Sequence, residues 1–287
     1  MSRPYLVVGG DGLIGRGLVR ALRDRGLPVA QTTRRPIDGA GGVYLDLAAP
    51  GPDLPVTPSI ALLCAAVTSI KACAEDPAAT RRINVDNTAR LAERLLRVGA
   101  RVVFLSTNAV FDGSRPHERA DAQVCPEVEY GRQKAEAERV ILGMGPGAAV
   151  VRLTKVFSGE TPLVAGWICA LRKGEAIRPF SDLPVCPVSL GYAVDALLAI
   201  GQATQDGVFH VSGERDVSYA EFAAALANAL GTDPGLVLPV LKSESGSVLA
   251  YTPAHTSLDM GGLPPGLGLR PQGLADVASA LAQPFVS

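Results

Sequence analysis

The sequence predicts an α/β fold, a doubly wound parallel sheet covered by helices on both faces, with a smaller C-terminal lobe. Three observations carry that expectation. Short apolar runs alternate with amphipathic helical segments over the first 155 residues. Nearly all of these runs are apolar throughout, as strands buried on both faces are. A glycine cluster, "GGDGLIG", joins the first run to the first helix.

The elements follow in order. "YLVVGG" reads as a buried strand and "LIGRGLVRALRDRG" as a helix closed by Gly26. "LPVAQTT", "GVYLDL" and "SIALLCAA" are the second, third and fourth strands. In the helix "DPAATRRINVDNTARLAERLLRVG", Asp76 is the cap, Pro77 suits the first turn and Gly99 is the stop. "RVVFLST" is the fifth strand, residues 129–142 form a helix, and "AAVVRL" is the sixth strand. Right-handed crossovers place these six strands in one parallel sheet. Beyond residue 155, prolines and turns become frequent. "SYAEFAAALANALG" is a later helix, with Ser218 and Glu221 as a capping box. The expected division is a nucleotide-binding domain over 1–155 and, over 156–287, a lobe with some segments returning to the first domain.

With 47% apolar and 19% charged residues, the 287-residue chain can bury a sizeable core. Its 27 basic and 28 acidic residues leave a net charge of −1, which offers no footprint for nucleic acid or an anionic membrane. The longest apolar stretch, "SIALLCAAV", is about half of a membrane span. The opening "MSRPYLVVGGDG" shows no cleavable signal pattern. Cys64, Cys73, Cys125, Cys169 and Cys186 form no CxxC pair, and His117, His210 and His255 lack metal-ligand spacing. A reducing cytoplasm and no structural metal are the expectations.

Gly9, Gly12 and Gly15 are spaced three apart, and Gly10, Gly12 and Gly15 also satisfy G-x-G-x-x-G. Between a strand and a helix, such glycines permit a tight turn, close approach to a pyrophosphate and close helix packing. The pyrophosphate then meets free N–H groups at the helix N-terminus. The pattern points to a dinucleotide in a Rossmann-type domain. At the end of the second strand, where NAD sites place an acid, "QTTRRP" offers Thr33, Arg34 and Arg35, which favours NADP over NAD. Asp46, after the third strand, reads either as an adenine contact or as a turn residue.

The fifth strand ends in Ser106, Thr107 and Asn108, at the edge where parallel sheets bind ligands. "YGRQK" then sets Tyr130 and Lys134 four residues apart on one helix face. A tyrosine of pKa about 10 is made more acidic by a nearby cation, and can give a proton to a carbonyl as a nicotinamide hydride arrives. Thr107 could hold the same oxygen. Alone, such a pair more often just covers apolar surface; behind the glycine loop and the Thr107 hydroxyl, it reads as acid and tuner. Arg152 and Asp182 read equally well as ligand contacts or as structural or solvated charges.

Together these residues resemble the short-chain dehydrogenase/reductase superfamily in its extended form. "VVGGDGLIG" resembles its cofactor loop, and Thr107, Tyr130 and Lys134 match its catalytic residues. "CAAVTSIKACAEDPAATRRINVDNTARLAE" resembles its fourth strand and following helix, where Asn84 matches a position supporting the active-site water relay. The resemblance implies cofactor contacts at Gly9, Gly12, Leu13, Ile14, Gly15, Thr33, Arg34, Arg35, Asp46, Leu47, Cys64, Ala65, Ala66, Tyr130 and Lys134.

Within the superfamily the likeness is to dTDP-4-dehydrorhamnose reductases, whose S-T-D-Y-V-F-D-G is similar to "STNAVFDG", with Asn108 and Ala109 in place of Asp and Tyr. "GVFHVSGERDVSYAEFAAALANALG" and "SLDMGGLPPGLGLRP" resemble later family segments. This implies reduction of a keto group on a nucleotide-linked sugar by NADPH or NADH, in a homodimer. Two alternatives stay open: an epimerase of the same family, and a non-catalytic NADP-binding subunit similar to the methionine adenosyltransferase β subunit.

Overall fold

The structure, a computed structural model, describes residues 3–35, 42–49, 54, 56–244 and 250–285. Met1, Ser2 and Pro36, from stretches read above, lie outside them. The strands are β1 (Tyr5–Val8), β2 (Val29–Thr33), β3 (Gly42–Tyr44), β4 (Ile60–Leu63), β5 (Arg101–Thr107), β6 (Ala148–Leu153), β7 (Lys155–Phe157), β8 (Pro184–Val185), β9 (Pro187–Ser189), β10 (Gly207–Val211) and β11 (Val217–Ser218). The helices are α1 (Leu13–Asp24), α2 (Ile70–Glu75), α3 (Pro77–Arg81), α4 (Thr88–Arg97), α5 (Glu129–Leu142), α6 (Pro162–Arg172), α7 (Leu190–Gln202), α8 (Tyr219–Ala229) and α9 (Leu274–Ala282).

Seven strands form one sheet in the order β10-β6-β5-β4-β1-β2-β3, every pair parallel. The strand order reverses between β1 and β4, which opens a crevice at their carboxyl ends. Alternation along each strand supplies both faces. Tyr5, Val7, Leu62, Val103 and Val151 pack with Leu18 and Leu22 of α1 and with Val194 and Leu197 of α7. Leu6, Val8, Ala61, Phe104 and Val150 pack on the other face with Leu91 and Leu95 of α4 and Ile141 of α5. The sheet therefore has one strand more than expected. Gly207–Val211 lies past the proline-rich region, and pairing with β6, from Gly207↔Ala149 to Val211↔Leu153, makes it a strand.

The long helix expected over residues 76–99 is not uniform. Asp76 does cap α3, accepting from the Ala79 N–H at 2.9 Å, and Gly99 ends α4 at φ 71°. Between α3 and α4, residues Arg82–Asn87 are π-helical. This wider turn carries Asn84 inward, where its side chain is bonded on both sides of the peptide chain after β4. The capping box at α8 is half made. Ser218 accepts from the Glu221 N–H at 3.0 Å, while the Glu221 carboxylate is drawn to Arg215.

A third apolar cluster lies beneath the C-terminal elements, built from Phe157, Trp167 and Ile168, Phe222 and Leu226, and Val277 and Leu281. Asp216 latches the chain over it. Its carboxylate accepts from the Thr256 N–H (2.7 Å) and hydroxyl (2.9 Å) and from the Ser257 N–H (2.9 Å) and hydroxyl (2.8 Å), and faces His255 Nδ1 at 3.1 Å. Burial pushes its pKa up, but these hydrogen bonds outweigh burial and hold it below the usual carboxylate value. A carboxyl with a depressed folded pKa adds stability above its unfolded pKa and loses it as pH falls through the folded one. Asp216→Asn should therefore cost about 2–3 kcal/mol near neutral pH, seen as a lower melting temperature. The gap from wild type should close below roughly pH 4.

Candidate active site

The turn after β1 is made by backbone crowding. Gly9 has φ 86°, and a Cβ on Gly15 would stand 2.1 Å from the Gly9 carbonyl oxygen. No side chain caps α1, since Gly12 occupies that position, so its first N–H groups face the crevice. Thr32 braces the turn: its hydroxyl accepts from Gly9 N–H at 2.9 Å and its carbonyl from Gly10 N–H at 3.0 Å. Thr33 donates to Asp11 in the same turn at 2.6 Å and accepts from Arg35 N–H at 2.9 Å.

A cavity of about 720 Å³ runs from this turn along the carboxyl ends of β1, β4, β5 and β6. Its lining includes Gly9, Gly12, Leu13, Ile14, Gly15, Thr33, Arg34, Asp46, Leu47, Cys64, Ala65, Ala66, Thr107, Tyr130 and Lys134. Arg35 and Asn84, also expected at the site, do not line it. Asp46 is at once a lining residue and a turn residue, its carboxylate accepting from Ala48 N–H at 2.9 Å. The reading from sequence passed over Asp11, Thr68, Lys155 at the domain boundary, and the residues contributed by the C-terminal lobe, among them Tyr219, Tyr251 and Thr256. The last three come from distant segments that only the fold assembles.

At the middle of the cavity, Thr107 ends β5 and caps a short 3-10 turn, accepting from Ala109 N–H at 3.1 Å. The half-buried Tyr130 lines the same cavity beside Thr107. Burial raises the Tyr130 pKa, and the nearby Thr107 hydroxyl only tempers this. Burial thus dominates over the acidification expected of Lys134. Lys134 is 3% exposed, with Nζ 3.8 Å from the centre of the Phe104 ring, and makes no hydrogen bond to Tyr130 among the described residues. Burial brings its pKa down to about 7, against the opposing pull of Glu138 and Cys64. Cys64 is itself pushed up to about 12 by burial.

Asn84 acts one layer back. Its side chain accepts from Val67 N–H at 2.8 Å and donates to Val67 O at 3.0 Å and to Gln133 Oε1 at 2.8 Å. Gln133 also donates to Thr80 at 3.0 Å. Asn84 thus ties the loop after β4, which lines the cavity, to the helix that carries Tyr130.

Behind Lys134 lies an ion pair. Glu138 and Arg152 are each 4% exposed, joined at 2.7 Å and by further contacts of 3.1 and 3.2 Å. Ser106 donates to the same carboxylate. Arg152 also reaches Ala120 O at 3.3 Å, lies 3.4 Å from His210 Nε2 and stands 5.0 Å from the Phe111 ring. Burial, followed by the Arg152 charge, takes the His210 pKa down to about 4, so the ring is neutral at physiological pH. Arg152 is therefore a structural cation. Asp182 is exposed and accepts from Lys242 N–H at 2.9 Å. Among the described residues, no group of His, Cys, Asp and Glu is placed to hold a metal ion.

A parallel sheet reversing at a glycine turn, with a hydroxyl at the end of β5 and a tyrosine and lysine one helical turn apart, defines the extended short-chain dehydrogenase/reductase class. Within it, the chain belongs to the family described as RmlD substrate binding domain, whose model matches residues 3–273. A dTDP-4-dehydrorhamnose reductase of Mycobacterium tuberculosis is 31% identical over 196 residues, a stretch covering 64% of this chain and 64% of that protein. The matched stretch is thus less than two thirds of that relative's length. A probable low-salt glycan biosynthesis reductase of Haloferax volcanii is 25% identical over 293 residues, 97% of each chain. In fold, the chain resembles the crystal structure of dTDP-4-dehydrorhamnose reductase from Bacillus anthracis in complex with NADP, with TM-score 0.84, 20% identity and 98% of each chain covered.

Gly131 explains the second letter of "YGRQK". A Cβ there would lie 2.0 Å from the Ala109 carbonyl oxygen, so only glycine lets α5 close on the turn that follows Thr107. Gly131→Ala should cost about 1–3 kcal/mol of stability. At Gly166, in the exposed middle of α6, a Cβ meets nothing within 4 Å, and Gly166→Ala should instead stabilise by about 0.5–1 kcal/mol. Thermal melts of the two variants check the contrast.

Proposed function

We propose that the protein is an NADP-preferring reductase of a keto group on a nucleotide-linked sugar, with Tyr130 as proton donor, Thr107 as orienter of the carbonyl oxygen and Lys134 as the charge beneath them. The observation that carries this reading is the convergence of Thr107, Tyr130 and Lys134 in one cavity with the glycine turn. The RmlD-family membership and the reductases among the relatives support it.

The residues present fit a dinucleotide. The uncapped start of α1 suits a pyrophosphate, Arg34 stands at the end of β2 for a 2′-phosphate, and Ala65 and Ala66 leave room for the flat rings. When bound, the nicotinamide supplies a hydride to the carbonyl carbon. The carbonyl oxygen gains electron density as that happens, and Tyr130 gives it a proton. The raised phenol pKa keeps Tyr130 protonated at neutral pH, which suits a donor in the reductive direction. Thr107 Oγ1 accepts from Ala109 N–H and donates to Asn108 Oδ1 at 3.4 Å, a long bond that its proton can give up for the substrate oxygen. A charged Lys134 stabilises the phenolate that remains. The lobe with Tyr219 and Tyr251 is proposed to receive the sugar nucleotide, and residues 1–155 the cofactor. A cytoplasmic homodimer belongs to the same reading; light scattering tests its dimer. No helix among the described residues is long and apolar enough to cross a membrane.

With a dTDP-4-keto-6-deoxysugar, wild type should oxidise NADPH, and Tyr130→Phe should lower kcat by about 10²–10⁴-fold with NADPH affinity unchanged. Arg34→Ala should weaken NADPH by about tenfold and leave NADH alone. Cofactor binding without oxidation of any such sugar would shift the reading to the epimerase or the regulatory subunit; absence of cofactor binding would end it. The rate of reduction should also fall as pH rises through about 7, where Lys134 loses its proton. Lys134→Arg should move that limb to higher pH.

A further inference from the structure

Leu153, the last residue of β6, is in register with Thr107. Two residues further, about 7 Å at the rise of a strand, Lys155 opens β7 and lines the cavity. The described lining residues from Leu153 onward carry one charged side chain, that of Lys155. Both acids of the cavity, Asp11 and Asp46, lie in the glycine turn and after β3, at the opposite end. Of the other two lining cations, Arg34 follows β2 and Lys134 is buried beneath the Thr107 end of β5.

Several cations of this chain have settled partners. Arg81 reaches Asp86 and Glu136, Arg101 reaches Asp206, and Arg152 reaches Glu138. Lys155 is exposed, and its side chain has no ion pair or hydrogen bond to the described residues. The other residues that line the cavity from Leu153 onward are uncharged, among them Thr154, Val156, Val185, Tyr219 and Thr256. Such a wall leaves a cation without a carboxylate to neutralise it, so an incoming anion meets no competitor.

We propose that Lys155 is the anion-binding residue of the substrate half, holding a negative group of a nucleotide sugar while Thr107 and Tyr130 hold its carbonyl oxygen. The inference rests on the reductase reading and refines it. The shared chemistry is an oxyanion, either on the diphosphate or on a carboxylate of the sugar ring. An ammonium suits either as a point charge.

The test is calorimetric, on the full chain saturated with NADP. Wild type, Lys155→Met and Lys155→Arg are titrated with dTDP-glucose, UDP-glucose and UDP-glucuronate. Loss of a charge-assisted contact should weaken binding about tenfold, and Lys155→Arg should recover most of it. Equal weakening for all nucleotide sugars that wild type binds would assign Lys155 to the diphosphate. Weakening confined to UDP-glucuronate would assign it to a ring carboxylate. NADP affinity should stay within about twofold in both variants, which also reports an intact fold. Unchanged affinity of Lys155→Met for sugars that wild type binds would overturn this inference and leave the reductase reading standing. A wild type that binds NADP and none of the three would bring down the substrate class, and this inference with it.

Discussion

The arrangement of this site depends on one buried carboxylate. Glu138 sits where β5, β6 and α5 meet, and an unpaired carboxylate there would be costly to bury. Arg152 neutralises it from β6, Ser106 donates to it from β5, and Lys134 lies one helical turn away on α5. Through Arg152 the same cluster reaches His210 on β10, whose other ring nitrogen faces the Asp259 carbonyl at 3.0 Å. Each partner belongs to a different element, so satisfying Glu138 fixes their relative positions. The proposed reacting groups stand on this platform: Thr107 is the residue after Ser106, and Tyr130 and Lys134 precede Glu138 on its own helix.

Burial does two things to Tyr130 and Lys134 that the spacing of "YGRQK" does not reveal. It takes Lys134 down to about 7 and raises the phenol of Tyr130. The two are therefore a protonated tyrosine and, one helical turn away, a lysine balanced between two charge states.

Much of the sheet was legible in the sequence because parallel strands buried on both faces are written as unbroken apolar runs. "RVVFLST" and "AAVVRL" coincide with β5 and β6. The glycine turn and the Tyr130–Lys134 spacing were legible for a similar reason, since local geometry demands those residues. What escaped was whatever depends on partners far along the chain. β10 is a strand through its pairing with β6, and α7 covers the face shared with α1. Glu138 looks like any helix-surface glutamate until Arg152 is found against it. Lys155 and Thr256 became neighbours of one cavity through the Asp216 latch and the lobe beneath it, which no periodicity encodes.

The π-helical turn at Arg82–Asn87 separates two demands that a plain α-helix would merge. The stretch before and after it must keep Leu91 and Leu95 against the sheet, while Asn84 must reach Val67 and Gln133. A π turn houses one surplus residue without turning the flanking helix away from its seat. Removing a single residue there would restore α geometry and leave the apolar stripe in place, yet carry the amide away from the loop after β4. In this protein the scaffold and the active-site loop can thus drift apart through one codon, and a lineage that lost it would keep a well-packed sheet around a site no longer held in register.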